Sequence, residues 1–392
     1  MYGNVLDYDF IKKFKKTKSI FDYISNERNF IFGKGISIGG GDKNNIQEHK
    51  KILYSVNSKQ KGLKPFIVEY SESFLENLEF VHRPRRISLF RAPVLLVGKG
   101  ITNDFKAKAA ISYNDVLYTD AITGIKPISN EGKEITYTLE GLFNSDLFSY
   151  FLVQTNSSIG IEREQAHDKE DKFSIPLIID ESKKLKYYSD KIRELFQLYN
   201  NVFFDSDKNN IQKEILNYEK EINNFLLKLY KITPQEKSLI NYTNEITIPL
   251  LKGTIEKKKK VISKIRFNDS YLLKYINVFN EYLYLKKLNL HTEIFWSDYV
   301  ILINFKIVNN KNNSSTNWKI IDNSDLIFRL IKMGFKNISE NLFLNKEIKG
   351  FEYEDNSFYI VKPNEFKLWH EAIAYYDLAE FENNKLKTTP QK

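Results

Sequence analysis

The 392-residue chain has no cysteine, so no disulfide, cysteine-based zinc site or thiol nucleophile can form, and a reducing, cytoplasmic location is the simplest reading. Proline and glycine are sparse, at 9 and 16 residues, which excludes a collagen-like or low-complexity fibre and leaves an ordered globular composition. No run of 18 apolar residues occurs, and Asp7 and Asp9 interrupt the start where a signal peptide would place an apolar stretch. The expectation is a soluble protein with no membrane partner.

Charge is present in mild excess of one sign. Lys plus Arg total 59 against 50 Asp plus Glu, a net +9, which suits a polyanionic partner or an acidic surface. Arginine is scarce, yet Arg83, Arg85, Arg86 and Arg91 fall together. Such a guanidinium cluster points to carboxylate or phosphate recognition, because the planar fork binds oxyanions in pairs and stays charged.

The length predicts two or three folded units. Residues 1–58 mix short helical patterns (Phe10, Phe14, Ile20, Phe21) with a glycine-rich run, Gly33 to Gly41, and read as a connecting or docking segment. Residues 59–180 carry β-like runs, Pro65–Val68, Val94–Val97, Ala109–Tyr113 and Val116–Tyr118, with one helix from Leu142 to Val153 packed on the sheet. Residues 181–290 switch to helical period: Leu185, Tyr188, Ile192, Leu195 and Tyr199, then Ile211, Ile215, Tyr218, Ile222, Phe225 and Leu229. That pattern predicts a coiled-coil-like antiparallel hairpin turning at Asp205–Asn210. Thr233-Pro234 reads as an N-cap and first helical residue of a third helix. Lys257–Lys260 reads as a solvated loop, with a phosphate contact as the alternative. Residues 291–392 combine a strand at Tyr299–Phe305, a helix at Asp325–Met333, a hairpin at 343–362 and a closing helix after Pro363. The fold class is therefore α+β: a β-rich domain, a long helical hairpin and a small α+β C-terminal domain.

Several catalytic patterns fail on context. Phe32-Gly33-Lys34-Gly35 has the shape of a methyl-donor loop but lacks a preceding apolar strand, and Gly39–Lys43 lacks the G-K-[ST] order of a phosphate loop. The five histidines (His49, His82, His167, His291, His370) show no metal-ligand spacing, and G-x-S-x-G is absent. The triplets Glu181-Ser182-Lys183 and Glu347-Ile348-Lys349 match a nuclease signature only as far as so lysine-rich a chain would by chance. A DNA amino-methyltransferase needs a [DNS]-P-P-[YFW] loop for the extruded base. No two of the nine prolines are adjacent, so that active site is not in this chain. No catalytic, cofactor-binding or metal-ligating residue is assigned.

What remains is a basic, aromatic-bearing segment: Arg83, Arg85, Arg86, Arg91, Lys99, Lys106, Lys108 and Tyr113. Such residues can contact phosphates, and an arginine can read a guanine edge in the major groove. The bland alternative is an exposed basic strand and loop without a partner.

The order of Met1–Tyr8, the glycine-rich Phe32–Gly41, Phe90-Arg91-Ala92-Pro93-Val94-Leu95-Leu96, Leu142-Phe143-Asn144-Ser145, Gly160-Ile161-Glu162-Arg163 and Ile175-Pro176-Leu177 resembles the C-terminal half of adenine-specific DNA methyltransferases of restriction-modification and phage-defence systems. The resemblance implies that residues 59–180 are a target recognition domain for double-stranded DNA. It implies spacer helices like those of type I specificity subunits, and a methyltransferase catalytic half binding S-adenosylmethionine that is either supplied by a partner subunit or domain or lost by truncation. It carries DNA contact only to the basic positions Arg83–Lys108. Asn144, Ser145 and Arg163 match the pattern, but an asparagine and serine at a helix turn are more often caps than base readers. Two alternatives stand beside it: a metal-dependent nuclease-type defence effector, and a protein-binding scaffold.

Overall fold

The computed structural model describes residues 4–41, 43–56, 62–72, 75, 78–156, 172–202, 204–309, 314–332, 336, 338–352 and 356–388. Met1–Gly3, Gly160–Arg163, His167 and Met333, all named above, lie outside them. The expected α+β class is observed: helices and several separate sheets alternate along the chain. The chain folds into two compact units, Met1–Asn244 and Glu245–Lys392.

In the first unit, α1 (Val5–Lys13) and α2 (Ile20–Ile24) each begin at a capping box, Asn4 with Asp7 and Ser19 with Asp22, which satisfies otherwise orphaned backbone N–H groups. The chain then runs through β1 (Phe30–Lys34), β2 (Asn44–Asn45), β3 (Tyr54–Val56), β4 (Leu63–Lys64), β5 (Ile67–Val68), β6 (Ser71–Glu72) and β7 (Phe80–Val81). Four further strands follow: β8 (Val94–Ile101), β9 (Ala107–Ser112), β10 (Val116–Tyr118) and β11 (Ile122–Pro127). The main sheet is antiparallel, in the order β1-β11-β8-β9. The segment expected to connect or dock thus supplies an edge strand of the sheet, with Gly33 paired to Gly124 inside it.

β8 is central, and Val94 to Val97 are all buried. By the period of two, Val94 and Leu96 face one side, where they join Ile36, Phe90, Val116 and Tyr118, and Leu95 and Val97 face the other. Gly124 shows why side chains are excluded at one point: a Cβ there would stand 1.8 Å from the Tyr118 hydroxyl.

The single helix expected from Leu142 to Val153 is two: α3 (Asn130–Phe143) and α4 (Asp146–Thr155). Ser145 breaks them, its Oγ accepting from the Phe148 N–H at 3.1 Å as the cap of α4. The four residues expected on the sheet, Leu142, Leu147, Tyr150 and Phe151, are all buried.

The helical hairpin is α5 (Lys184–Asn201) and α6 (Asp205–Leu229), packed on each other. Asp205–Asn210 does not turn the chain as expected; it forms the first turns of α6, where Asp205 and Asp207 favour the positive end of the helix dipole. α7 (Pro234–Tyr242) starts as expected, with a Thr233–Glu236 capping box and proline at the first position.

The second unit opens with α8 (Ile248–Lys252) and α9 (Ile255–Val261). The four lysines 257–260 are helical rather than a loop, because Thr254 caps α9 and the lysines run into its last turn, where the dipole favours cations. After α10 (Ser270–Leu285) come β12 (Leu288–Trp296), β13 (Val300–Asn309), β14 (Ser315–Ile320), α11 (Asn323–Lys332), α12 (Ile338–Glu340), β15 (Ile348–Glu352), β16 (Ser357–Pro363) and α13 (Glu371–Thr388). Their sheet has the order β14-β12-β13-β16-β15, with β12 and β14 parallel and the other pairs antiparallel.

Alternation divides this sheet into two cores. Ile301, Ile303, Phe305, Phe358 and Ile360 pack with α10 and α13 around Trp369. Leu302, Tyr359 and Val361 pack on the opposite side with Leu326 and Leu330 of α11. Among the described residues no helix is long and apolar enough to cross a membrane.

Candidate nucleic-acid interface and buried ion networks

The arginine segment is tied to its neighbours by several hydrogen bonds in the first unit. The Arg83 N–H and carbonyl bond to the backbone of Ser37, at 3.2 and 3.0 Å. The Arg85 Nε donates to the Gly35 carbonyl at 3.3 Å, and the Arg85 carbonyl lies 3.2 Å from His49 Nε2. Because a carbonyl only accepts, Nε2 of His49 carries the proton. Burial holds the His49 pKa below its ordinary value, against the Arg85 and Pro84 carbonyls that favour the charged ring.

This framework sorts the eight expected contacts. Arg83, Arg86 and Lys99 are exposed. Arg85 is half-buried with a left-handed backbone and serves the strip itself. Arg91 is exposed but paired with Asp115 at 2.5 Å. Asp115 also accepts the Ala92 N–H, and these two partners hold its carboxyl below the usual range against the opposing effect of burial. Lys106 is half-buried beside Asp146, at 3.3 Å, and Lys108 is half-buried. Tyr113 lies elsewhere, against the helical hairpin.

Beside Arg83, Gly39, Gly40 and Gly41 all have positive φ, and no neighbour stands within 4 Å of a Cβ built on the first two. Three consecutive residues at positive φ need glycine, because other side chains are strained in that backbone region. The run bends the chain, and its place next to the arginines was not readable in the sequence. Only tertiary pairing of Ser37 with Arg83 brings them together.

Tyr113 belongs to a network that the sequence did not reveal. Glu140 of α3 is fully buried and receives two bonds from Arg193 of α5, at 2.7 and 2.9 Å, and one from the Ile111 N–H at 2.9 Å. Arg193 also reaches Asp190 at 2.7 Å and the Tyr113 hydroxyl at 3.3 Å, with its guanidinium 5.4 Å from the Tyr113 ring. Burial works against the Arg193 charge, yet Glu140 raises its pKa. The Asp190-x-x-Arg193 spacing within one helix was the available signal. The partner Glu140 was not readable, because it lies on another helix.

Asn144 and Ser145 are structural. Asn144 donates to the Ala109 carbonyl at 2.8 Å and accepts from its N–H at 3.4 Å, tying α3 to β9. The triplet at 181–183 is a helix entry: Asp180 accepts from Ser182 and from the Leu185 N–H, fixing the start of α5.

The other triplet, Glu347-x-Lys349, falls in a buried cluster of the second unit. Asp377 is bonded to Lys362 at 2.6 Å, to Lys349 at 2.8 Å and to the Tyr275 hydroxyl. Lys349 further pairs with Glu347 at 3.1 Å and Glu380 at 2.5 Å. Burial alone would raise the Asp377 pKa; the two lysines keep it below the ordinary value. Among the described residues, no group of three His, Asp or Glu side chains is placed to hold a metal ion.

No protein-family model matches the sequence. No curated protein matches it either. Among solved structures, the type IIL restriction-modification enzyme MmeI in complex with DNA aligns with a TM-score of 0.35 and 11% identity, over 59% of this chain and 36% of that one. The chain thus spans about a third of that enzyme's length, and a score at this level is too low to establish a common fold.

Proposed function

We propose that the first unit recognises double-stranded DNA as the target-recognition part of an adenine-specific methyltransferase or restriction-modification system. One observation carries this reading. Residues 80–103 hold four arginines and Lys99 with no acidic side chain, and Arg83 and Arg86 are exposed on a segment whose backbone bonds to Ser37 and whose Arg85 side chain bonds to Gly35. Exposed cations on a preordered strip bind phosphates without the cost of ordering the chain.

The finer part of the proposal comes from the motif order in the sequence. A methyltransferase subunit or domain would supply the catalytic loop and bind S-adenosylmethionine. The helical hairpin would face that partner, for which exposed Leu198, Phe204 and Leu216 offer apolar contacts.

The test is duplex binding across a salt series. Each phosphate neutralised contributes about −0.9 to the log–log slope on B-form DNA. The Arg83→Ala/Arg86→Ala double variant is expected to flatten the slope by about two relative to the parent. Arg91→Ala, which removes a cation already paired to Asp115, changes it less. A parent slope near zero, or a double variant that matches the parent, overturns the reading.

A further inference from the structure

The first unit contains a cavity of about 470 Å³ between β5, the turn after β9 and α5, within the roughly 300–1,000 Å³ of small-ligand sites. Its walls are aromatic: Phe66, Tyr70, Tyr113 and Phe196. Three carboxamides, Asn114, Gln197 and Asn200, also line it, and their side chains make no hydrogen bond to another described residue. Arg193 is there too, but Glu140 and Asp190 occupy it. The charge of Arg193 is thus neutralised while its bulk keeps Tyr113 in place, with Tyr113 still 48% exposed.

Flat apolar walls with free carboxamides match one ligand chemistry. A heteroaromatic ring stacks on phenyl and phenol faces, and a carboxamide offers both a donor and an acceptor to its hydrogen-bonding edge. Glu69, which also lines the cavity, is neutralised by Lys64 at 2.5 Å, and the Lys64 ammonium stands 5.3 Å from the centre of the Phe196 ring, so a base stacks on Phe196 beside that ammonium. We infer that this cavity takes a single unpaired nucleobase, its sugar–phosphate remaining outside. The inference rests on the proposed DNA recognition for its source of bases.

The test compares the full chain with Phe196→Ala, Gln197→Ala and the conservative Phe196→Tyr. Fluorescence anisotropy would be read on three probes: a labelled single strand, the same strand with abasic sites, and a fully paired duplex. Stacking on one aromatic ring is worth about 1–3 kcal/mol, or about 5- to 150-fold. The parent should prefer the base-bearing strand to the abasic one by a factor in that range. Phe196→Ala should abolish the preference without changing abasic binding, Gln197→Ala should reduce it, and Phe196→Tyr should retain it. Unchanged abasic binding also shows that the variant is folded.

If the weakening appears on the strand alone, the base enters already unpaired; if it appears on the paired duplex as well, the base is extruded. A parent that binds both strands equally, or a Phe196→Ala variant that keeps the preference, overturns the cavity assignment while leaving DNA recognition standing. If no probe binds in a salt-dependent way, DNA recognition fails. Saturation-transfer NMR with free adenosine and cytidine then decides the cavity. Transfer to the base ring protons that disappears in Phe196→Ala upholds it, and no transfer in the parent overturns it.

Discussion

Glu140 in the first unit and Asp377 in the second are both buried carboxylates held by cations, but they do different work. Asp377 is enclosed: Lys362 is only 2% exposed, and the cluster with Lys349 and Tyr275 closes the packing of β15 and β16 against α13. Glu140 instead holds Arg193, whose outer side contacts Tyr113 at the edge of an open cavity. The same chemistry therefore locks one unit and shapes a surface in the other. The difference is set by what lies on the far side of the cation.

The largest effects should come from deleting either carboxylate. Asp377→Ala leaves Lys362 buried without its main partner, and Glu140→Ala does the same to Arg193, each costing about 3–5 kcal/mol. All three tryptophans, Trp296, Trp318 and Trp369, lie in the second unit. Denaturation followed by tryptophan fluorescence therefore reads Asp377→Ala. For Glu140→Ala the readout is faster hydrogen exchange at the Ile111 amide, whose N–H donates to the Glu140 carboxylate. An unchanged Ile111 amide would break the comparison.

Acid should distinguish the units next. Burial, and secondarily Lys274, lower the His370 pKa to about 4. The unfolded chain takes up this proton near pH 6.5, before the folded chain does, so second-unit stability should fall as pH drops from about 6.5 to about 4 and then level off. The full shift corresponds to about 3 kcal/mol. His370→Asn, which can still accept the Ala372 N–H, should flatten that part of the profile; a profile with the same slope refutes the assignment. Asp377, held below the ordinary carboxylate value, contributes stability that is lost only on acidification beyond that range.

Smaller effects sharpen the division between structural and surface residues. Ser145→Ala removes the α4 cap and should cost about 1 kcal/mol in chemical denaturation with no change in the DNA salt slope. Arg91→Ala breaks a largely exposed ion pair and should shift stability by about 0–1 kcal/mol. A clearly larger loss would mean that Asp115 depends on Arg91 to hold the Ala92 turn.

Elements with local signals were readable in the sequence. Thr233-Pro234 announced α7, the three- and four-residue spacings announced α5 and α6, and the apolar run at 299–305 announced β13. Two expectations failed for local reasons that tertiary packing or capping overrode: Asp205–Asn210 joined α6, and Lys257–Lys260 joined α9 under the Thr254 cap. The arginine strip was visible as four guanidiniums close in sequence. Which of them are taken up in contacts within the fold depended on Gly35 and Asp115, which come from other strands and turns.

Composition, helical and strand periods and caps thus determined by themselves the α+β class, the long helices and the presence of a local arginine cluster, because each rests on neighbours within about one turn or one strand. Only the tertiary structure decided the rest. It placed the Gly39–Gly41 run beside Arg83, set Glu140 under Arg193, and formed an open cavity lined by Phe66 and Phe196, since each of these pairs residues far apart in the chain whose meeting depends on the packed sheets and helices.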